Sequence, residues 1–175
     1  DMTSGGTVAP ENVSARAASW TSSTEHSFSV TYRYHIDAAY CDIYGGALPS
    51  HTCMDTPLPE DTSEDRPHIA FTPYLRQLTE RVVDGLGDPL DRARAIYDYL
   101  TQHIDYRYQP PYLLLGSIAD DCAHSLRGDC GVMALTFITM CRIAGVPARW
   151  QSGLYVAPAS VGPHDWAEFY TPRTG

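Results

Sequence analysis

The sequence lacks an apolar run long enough to cross a membrane. No hydrophobic stretch approaches the roughly 20 consecutive residues that a transmembrane helix requires. The opening residues, 1–19, also lack the basic segment followed by an apolar segment that marks an intact signal peptide. We therefore expect no transmembrane segment in this chain.

Basic tracts are missing as well. The chain has 12 lysine and arginine residues against 21 aspartate and glutamate residues, which gives a formal net charge of -9. Proteins that bind a phosphate backbone concentrate basic side chains on one surface instead. The charge balance therefore argues against a nucleic-acid partner.

The composition and the length of the chain fit one globular unit. Of the 175 residues, 43% are hydrophobic and 19% are charged, so the chain can bury a single sizeable core. We expect a flexible linker over residues 1–25, a strand and an acidic loop over 26–66, and the main domain over 67–175. The linker is rich in serine, threonine, alanine and glycine, which fits a segment of an exported or cell-surface protein.

Periodicity predicts three elements before the centre of the domain. Apolar and polar residues alternate over 26–40, which is typical of a half-buried strand. Two helices are expected further on, and each is opened by a capping residue followed by proline. The first begins after Thr72 and stops before Gly85. The second begins after Asp88 and ends near His103.

A third helix is expected over residues 132–144, which are apolar on almost every side apart from two threonines. A helix without a polar face must be buried on most sides. Gly145 can take the left-handed conformation that ends a helix, and Pro147 prevents its continuation. Two strands, over residues 148–156 and 163–171, follow the helix and are joined by a turn.

The cysteine count is odd. Five cysteines cannot all pair within one chain, so at least one is free, bound to a metal or reactive. Cys41 and Cys53 bracket a loop with little hydrophobic content, and we predict a disulfide between them, which would support an exported protein. Cys141 lies on the central helix about 16 Å along the axis from Cys130, at a rise of about 1.5 Å per residue, and is expected in the core.

Cys130 is the strongest candidate for chemistry because it lies at the start of the central helix. There, unpaired backbone N–H groups and the helix dipole stabilise a thiolate over a thiol. His164 lies on the last predicted strand, and pleating puts it on one face with Trp166 and Glu168. The same pleating turns Asp165 to the opposite face. A strand packed over the helix start can bring the imidazole to the thiol.

Three sequence blocks in a fixed order carry a resemblance to a known family. They are DPLDRARAIYDYLTQHIDYRY, RGDCGVMALTFITMCRIAGVPARWQSG and HDWAEFY, within about residues 67–171. The chain resembles the transglutaminase-like superfamily, and within it the bacterial cysteine proteases and amidases. The resemblance implies an α+β, papain-like fold in which a buried central helix carries the nucleophile and packs on an antiparallel sheet. It also implies Cys130 as nucleophile, His164 as base and a third residue, usually aspartate, on the next strand.

The reaction that the resemblance implies is cysteine-dependent acyl transfer on amide bonds of peptides or proteins, without a cofactor. The Cys130 thiolate attacks the carbonyl, His164 protonates the leaving amine, and the thioester passes to water or to another amine. The Cys130 backbone N–H is the natural donor to the oxyanion, and Ser125 and His124 are further candidates by position. Trp166 is expected both to cover the site, which excludes water, and to fill part of the core. The alternative is an inactive relative that binds a ligand or spaces domains.

Other side chains near these motifs admit two interpretations each. Arg149 and Glu168 lie on neighbouring strands and form either a partly buried ion pair near the site or two solvated charges. Cys122, His124 and Cys130 have the spacing C-x-H-x5-C, which raises a zinc site as an alternative without enzymatic function. A fourth ligand at a convincing spacing is missing, and zinc would occupy the nucleophile.

We expect the third member of the implied triad to lie outside this sequence. In the family a carboxylate on the strand after the histidine strand orients the imidazole, and the sequence given stops at Gly175. We expect the natural protein to continue into another strand, with an aspartate or asparagine within about fifteen residues. The main domain is therefore interpreted as shortened at its C-terminal end.

Overall fold

A computed structural model gives the fold of the chain and describes residues 7–8, 18–24, 27–29, 31, 56–107 and 111–172. The chain forms two compact units, one over residues 1–40 and the other over 41–175. The second unit holds every helix that the structure describes.

The first unit contains a short antiparallel pair of strands where the sequence predicts a linker. Strand β1 (Thr7–Val8) pairs with β2 (Ala18–Ser19). Trp20 packs near Phe28, with ring centroids 5.7 Å apart. The strand predicted over 26–40 lies mostly outside the described residues, and the described positions in it are not part of a strand.

The predicted acidic loop has defined local structure where it is described. A 3₁₀ helix spans Pro59–Thr62, and the carboxylate of Asp61 accepts a hydrogen bond of 2.8 Å from the backbone N–H of Leu58. Asp61 is buried, so at least this acidic side chain is not a solvated loop charge. The predicted disulfide between Cys41 and Cys53 lies outside the described residues and stays a prediction.

The two capped helices are confirmed at nearly the predicted bounds. Helix α1 is Pro73–Val82 and helix α2 is Pro89–His103. The Thr72 side chain accepts from the backbone N–H of Leu75 at 3.2 Å, and the Asp88 side chain caps α2 in the same way. Both helices begin with proline, whose fixed φ suits the first helical position.

A small parallel ladder and a third helix connect α2 to the centre of the domain. Strand β3 (Asp105–Tyr106) pairs with β4 (Arg127–Gly128), and helix α3 (Ile118–Ser125) lies between them in the chain. A 3₁₀ turn spans Tyr112–Leu114. The sequence analysis did not predict α3, because its eight residues are too few to show a helical period. Leu126 ends it in the left-handed region, with φ of 54°.

The central helix α4 (Cys130–Ile143) is buried as predicted. Gly145 follows it with φ of 76°, the left-handed conformation expected from the sequence. Buried side chains from all four helices and from the segment after α4 form one core, which includes Leu75, Ile96, Ile118, Ile138, Met140 and Val146.

An antiparallel hairpin covers α4. Strand β5 (Ala148–Ala157) pairs with β6 (Ser160–Phe169) in an unbroken register that aligns Ala148 with Phe169. The strands are longer at the hairpin tip than predicted, because two residues suffice for the turn, and β6 ends at Phe169 rather than at Thr171. Phe169 meets Phe137 of α4, with ring centroids 5.9 Å apart.

These elements make an α+β fold of four helices and small sheets, in which a buried helix packs on an antiparallel hairpin. The fold class predicted from the sequence is therefore confirmed. Within the described part of the chain, no helix has both the length and the apolar character needed to cross a membrane.

Candidate active site

Cys130 is the first residue of α4 and the most accessible of the cysteines that the structure describes. It is half-buried, whereas Cys122 and Cys141 are buried. Burial raises the pKa of both of those thiols. Asp129 caps the helix, since its carboxylate accepts from the backbone N–H of Val132 at 3.1 Å. The only partly accessible thiol in the described structure thus lies at a helix N-terminus, as predicted.

Tyr112 holds the capping carboxylate from the other side. Its hydroxyl donates to Asp129 Oδ1 at 2.5 Å, the same oxygen that accepts from Val132. Burial, followed by the hydrogen bond to Asp129, raises the pKa of Tyr112. Tyr112 therefore keeps its proton at neutral pH and fixes the orientation of the cap next to Cys130.

Gly131 allows three side chains to approach the start of α4. A methyl group at this position would lie 2.5 Å from the Tyr112 hydroxyl, 3.1 Å from Trp150 and 3.2 Å from Asp165 Oδ2. Real side-chain carbons essentially never come within 3.0 Å of another heavy atom in this way. The glycine beside the nucleophile candidate is therefore required by close packing.

Asp165 is the residue of the hairpin that reaches the thiol. Its Oδ2 lies 3.9 Å from Cys130 Sγ, a long contact in which the thiol donates to the carboxylate. Asp165 forms no ion pair within the part of the chain that the structure describes. Asp165 is therefore the hairpin side chain in contact with the candidate nucleophile.

His164 lies on the other face of the hairpin, contrary to the expectation that it faces Cys130. It is exposed, pairs with Gly153 across the hairpin, and has the rings of Tyr155 and Trp166 as neighbours, with centroid distances of 6.3 and 6.4 Å. The predicted alternation itself is present, because His164 and Asp165 point to opposite faces. The structure differs from the prediction in which face of β6 packs against α4: it is the face of Asp165 and not that of His164.

The packing of the apolar residues in β6 explains this orientation. Ala167 packs against the core and Phe169 contacts Phe137. Residues two apart in a strand share a face, so a strand that turns Ala167 and Phe169 towards α4 also turns Asp165 inward and His164 outward. The structure thus brings Asp165, and not His164, to Cys130.

The remaining predicted residues of the hairpin also lie on the outer face. Trp166 is 43% exposed and packs over Gly153, so it neither covers Cys130 nor fills the core. Arg149 Nε lies 2.9 Å from Glu168 Oε2, and Gln151 donates to the same oxygen at 3.1 Å. The ion-pair interpretation of Arg149 and Glu168 is therefore confirmed.

Ser125 and His124 do not hydrogen-bond to Cys130 in the described structure. His124 stacks on Tyr74 with ring centroids 4.0 Å apart, and its Nε2 lies 3.7 Å from Asp120. Ser125 is exposed at the end of α3. The described residues contain no group of three or more His, Cys, Asp or Glu side chains arranged to hold a metal ion, so the C-x-H-x5-C spacing does not form a zinc site there.

Tyr106 is a site residue that the sequence analysis missed. It lies opposite Gly128 in the β3–β4 pairing, two residues before Cys130. Partial burial, followed by the neighbouring thiol, raises the pKa of Tyr106. The residue comes close to the start of α4 because β3 pairs with β4, and a two-residue parallel pairing leaves no periodic signal in the sequence.

Comparisons with known proteins agree with this architecture. A family model described as the transglutaminase-like superfamily matches residues 76–175. A structure from Cytophaga hutchinsonii, provisionally described as a cysteine protease, is 20% identical, has a TM-score of 0.55 and aligns with 63% of this chain and 37% of that one. The periplasmic domain of TgpA from Pseudomonas aeruginosa is 21% identical, has a TM-score of 0.53 and aligns with 66% of this chain and 43% of that one.

The chain thus spans less than half the length of either structure. At these levels of identity, the likeness supports the fold. Among curated proteins, none matches this sequence.

Proposed function

Because the chain belongs to the transglutaminase-like superfamily, we propose that it is a cysteine-dependent acyl-transfer enzyme with Cys130 as its nucleophile. The observation that carries the proposal is the position of this thiol. Cys130 is half-buried at the first residue of a buried helix and directly follows the capping residue Asp129. Helix N-termini are where reactive cysteines are activated.

The substrate class is an amide bond of a peptide or protein. The Cys130 sulfur attacks the carbonyl carbon, and the carbonyl π pair moves to oxygen. When that pair returns, the C–N bond breaks and the amine leaves with a proton supplied by a general acid. The resulting thioester passes its acyl group to water, which gives hydrolysis, or to a second amine, which gives crosslinking.

His164 is the proposed general base and acid, and it must turn towards the thiol to act. A shift of one residue in β6, or a β-bulge near Asp165, exchanges the face on which each side chain lies. Among the described residues, β6 pairs with β5 alone, so its other edge has no strand to fix the register. The 3.9 Å contact of Asp165 is a weak restraint against such a shift.

A second candidate function has one specific observation in its favour. The outward His164 and the inward Asp165 are the arrangement expected of a catalytically inactive module, in which Cys130 has no imidazole partner. Such a module would bind a ligand or space domains on a cell surface. The two candidates differ in whether His164 controls the reactivity of Cys130.

Alkylation of the native protein distinguishes the two. We expect limiting iodoacetamide at pH 6 to label Cys130 before Cys122 and Cys141, which are buried. His164→Ala should slow labelling of Cys130 by about tenfold or more, because the thiolate loses its imidazolium partner. His103→Gln, in the last turn of α2, is the matched control and should leave the rate unchanged. Equal rates in all three proteins favour the inactive module.

The fate of the acyl group is measured separately. The chain contains no lysine, so an amine acceptor for crosslinking must be added to the assay. Fluorescent casein incubated with an excess of glycine ethyl ester reports both outcomes, as peptide release or as amine incorporation. Either product, abolished by Cys130→Ala, supports acyl transfer. Neither product, with Cys130 freely alkylated, counts against it.

A further inference from the structure

Tyr112 is fixed at the start of a short 3₁₀ turn beside the central helix. The N–H of Leu114 donates to the carbonyl of Pro111 at 2.9 Å, and the N–H of Leu115 donates to the carbonyl of Tyr112 at 3.0 Å. Tyr112 and Leu115 pack against the core, whereas Leu113 between them is 84% exposed. The backbone bonds of this turn involve no residue of the hairpin, so the position of Tyr112 does not depend on the register of β6.

The hydroxyl of Tyr112 holds Asp129, the residue that directly precedes the nucleophile. Asp129 Oδ1 accepts from the Tyr112 hydroxyl at 2.5 Å and from the N–H of Val132 at 3.1 Å. The backbone carbonyl of Asp129 accepts from the N–H of Met133 at 2.9 Å. Burial raises the pKa of Tyr112, so its hydroxyl stays a donor at neutral pH. Three hydrogen bonds thus fix both the carboxylate and the backbone of Asp129.

The choice of Val132 as the capped donor matters for the nucleophile. A capping side chain accepts from either the second or the third N–H of a helix, and in α4 these belong to Gly131 and Val132. The first N–H, that of Cys130, has no acceptor within the helix and is the donor expected for the oxyanion. A carboxylate bound to the Gly131 N–H would lie beside that donor, and its charge would repel an oxyanion. The Tyr112 hydroxyl favours the Val132 position, because it binds the same carboxylate oxygen there.

We propose that Tyr112 is a positioning residue for the nucleophile: its hydroxyl keeps the Asp129 carboxylate on the third N–H of α4 and leaves the first N–H, that of Cys130, open to the substrate. The inference rests on the proposed acyl-transfer function. As sulfur adds to the carbonyl carbon, the carbonyl π pair moves to oxygen, and this oxygen accepts from the open N–H. The pair returns when the C–N bond breaks and the amine leaves with a proton from the general acid. Tyr112 acts through Asp129 and not on the reacting atoms.

Two substitutions separate the tyrosine link from the helix cap. Tyr112→Phe removes the hydroxyl and keeps the ring. Asp129→Ser keeps a good capping residue but removes the carboxylate that the tyrosine holds. The double variant completes a mutant cycle, and Tyr97→Phe, at a position that is 55% exposed on α2, is the matched control. Urea unfolding measures the stability of each protein, so that a general loss of folding is recognised.

Two reagents that both modify Cys130 report the effect. p-Nitrophenyl acetate acylates the thiol through a tetrahedral oxyanion, whereas iodoacetamide alkylates it by direct displacement without one. Each rate at Cys130 is followed by intact-protein and peptide mass spectrometry. The readout is the ratio of the acylation rate to the alkylation rate, because a change that only loosens the fold or alters access to the thiol affects both rates.

We expect Tyr112→Phe to lower this ratio by about fivefold or more. Loss of a whole oxyanion donor costs about 10²–10³ in rate in a protease, and a misplaced carboxylate beside an intact donor should cost less. In the Asp129→Ser background, the same substitution should change the ratio by less than about twofold, because no carboxylate remains to be held. Tyr97→Phe should leave the ratio unchanged.

Three outcomes contradict the proposal. An unchanged ratio in Tyr112→Phe, with or without a loss of stability, shows that the tyrosine has a structural role alone and leaves the enzyme function standing. An equal fall of the ratio in both backgrounds shows that Tyr112 does not act through Asp129. Acylation that avoids Cys130 in the unchanged protein overturns both this inference and the proposed function.

Discussion

A single missing side chain, that of Gly131, sets how closely the residues around the thiol can pack. The glycine lies between the Tyr112 hydroxyl on one side and the hairpin residues Trp150 and Asp165 on the other. Its neighbour Cys130 is therefore enclosed by groups that a methyl would push apart. Glycine is needed here for lack of space and not for its backbone freedom, since Gly131 does not adopt the left-handed conformation.

Gly131→Ala should destabilise the fold and disturb the cap of α4. The new methyl meets the Tyr112 hydroxyl at 2.5 Å, and forced overpacking costs about 1–3 kcal/mol in free energy of unfolding. Gly87→Ala is the control, because nothing lies within 4 Å of a methyl there. Urea unfolding measures both variants. A Gly131→Ala protein as stable as Gly87→Ala would mean that the three neighbours yield freely.

At the scale of the residue, the sequence predicted the position of Cys130 better than the direction in which the side chains of the hairpin point. Cys130 could be located because a cap, a glycine and an apolar helix follow one another in the chain. The alternation of the strand shows that His164 and Asp165 lie on opposite faces, but it does not show which face packs against α4. That choice depends on how Ala167 and Phe169 pack. Tyr106 comes close to the start of α4 through its pairing with Gly128, and local sequence patterns do not predict a pairing between distant residues.

At the scale of the element, one arginine joins three parts of the domain. Arg142, in the last turn of α4, donates through Nε to the carbonyl of Ala148 and through Nη1 to the carbonyl of Ser63, both at 2.9 Å. Burial lowers the pKa of Arg142, and the acidic side chains of Asp61 and its neighbours oppose that shift. The arginine thereby ties α4 to β5 and to the 3₁₀ segment.

Arg142→Met should lower the free energy of unfolding by about 2–4 kcal/mol. The substitution keeps much of the apolar stem but leaves two carbonyls without their donor, at about 1–3 kcal/mol each. Arg94→Met provides the comparison, since Arg94 pairs with Asp98 on an exposed face of α2 and such pairs contribute about 0.5 kcal/mol or less. Similar losses in the two variants, measured by urea unfolding, would argue against this bridging role.

Helices and strands with clear start and stop residues in the sequence were predicted well, and those without such residues were not. The helices α1 and α2 carry a capping residue and a proline at their starts, and α4 ends at a left-handed glycine, so their bounds could be read from the chain. Helix α3 has eight residues and is capped by Leu126 in the left-handed conformation, a position where the sequence offers neither glycine nor proline as a signal. The strands of the hairpin were predicted too short at the tip because the Pro-, Ser- and Gly-containing stretch was interpreted as the turn.

At the scale of the whole molecule, the core belongs to one of the two units. Every residue of the described core cluster lies between Ile69 and Ala148, and the two short strands β1 and β2 contribute none of them. The family match begins at residue 76 and lies within the same unit. The stability of the second unit should therefore depend little on the first.

Deleting residues 1–40 should leave the thermal midpoint within about 2 °C of the original, equivalent to less than about 1 kcal/mol. The alkylation rate of Cys130 should also be unchanged. Calorimetry and mass spectrometry of the shortened and the original protein measure the two quantities. A midpoint lower by more than about 5 °C would show that the first unit stabilises the second.

Because α4 is buried and the hairpin tip is exposed, their backbone amides should exchange with solvent by different routes. Amides in a helix enclosed on most sides exchange with deuterium only when the whole domain unfolds, whereas amides near an exposed hairpin tip exchange through local opening. Side chains at that tip, such as Leu154, Tyr155 and Val161, are more than half exposed. The middle of α4, around Ile138 and Met140, should therefore be among the slowest-exchanging parts of the described structure, whereas the strand that carries His164 should exchange faster. Opening of the hairpin should then occur on a timescale separate from that of global unfolding.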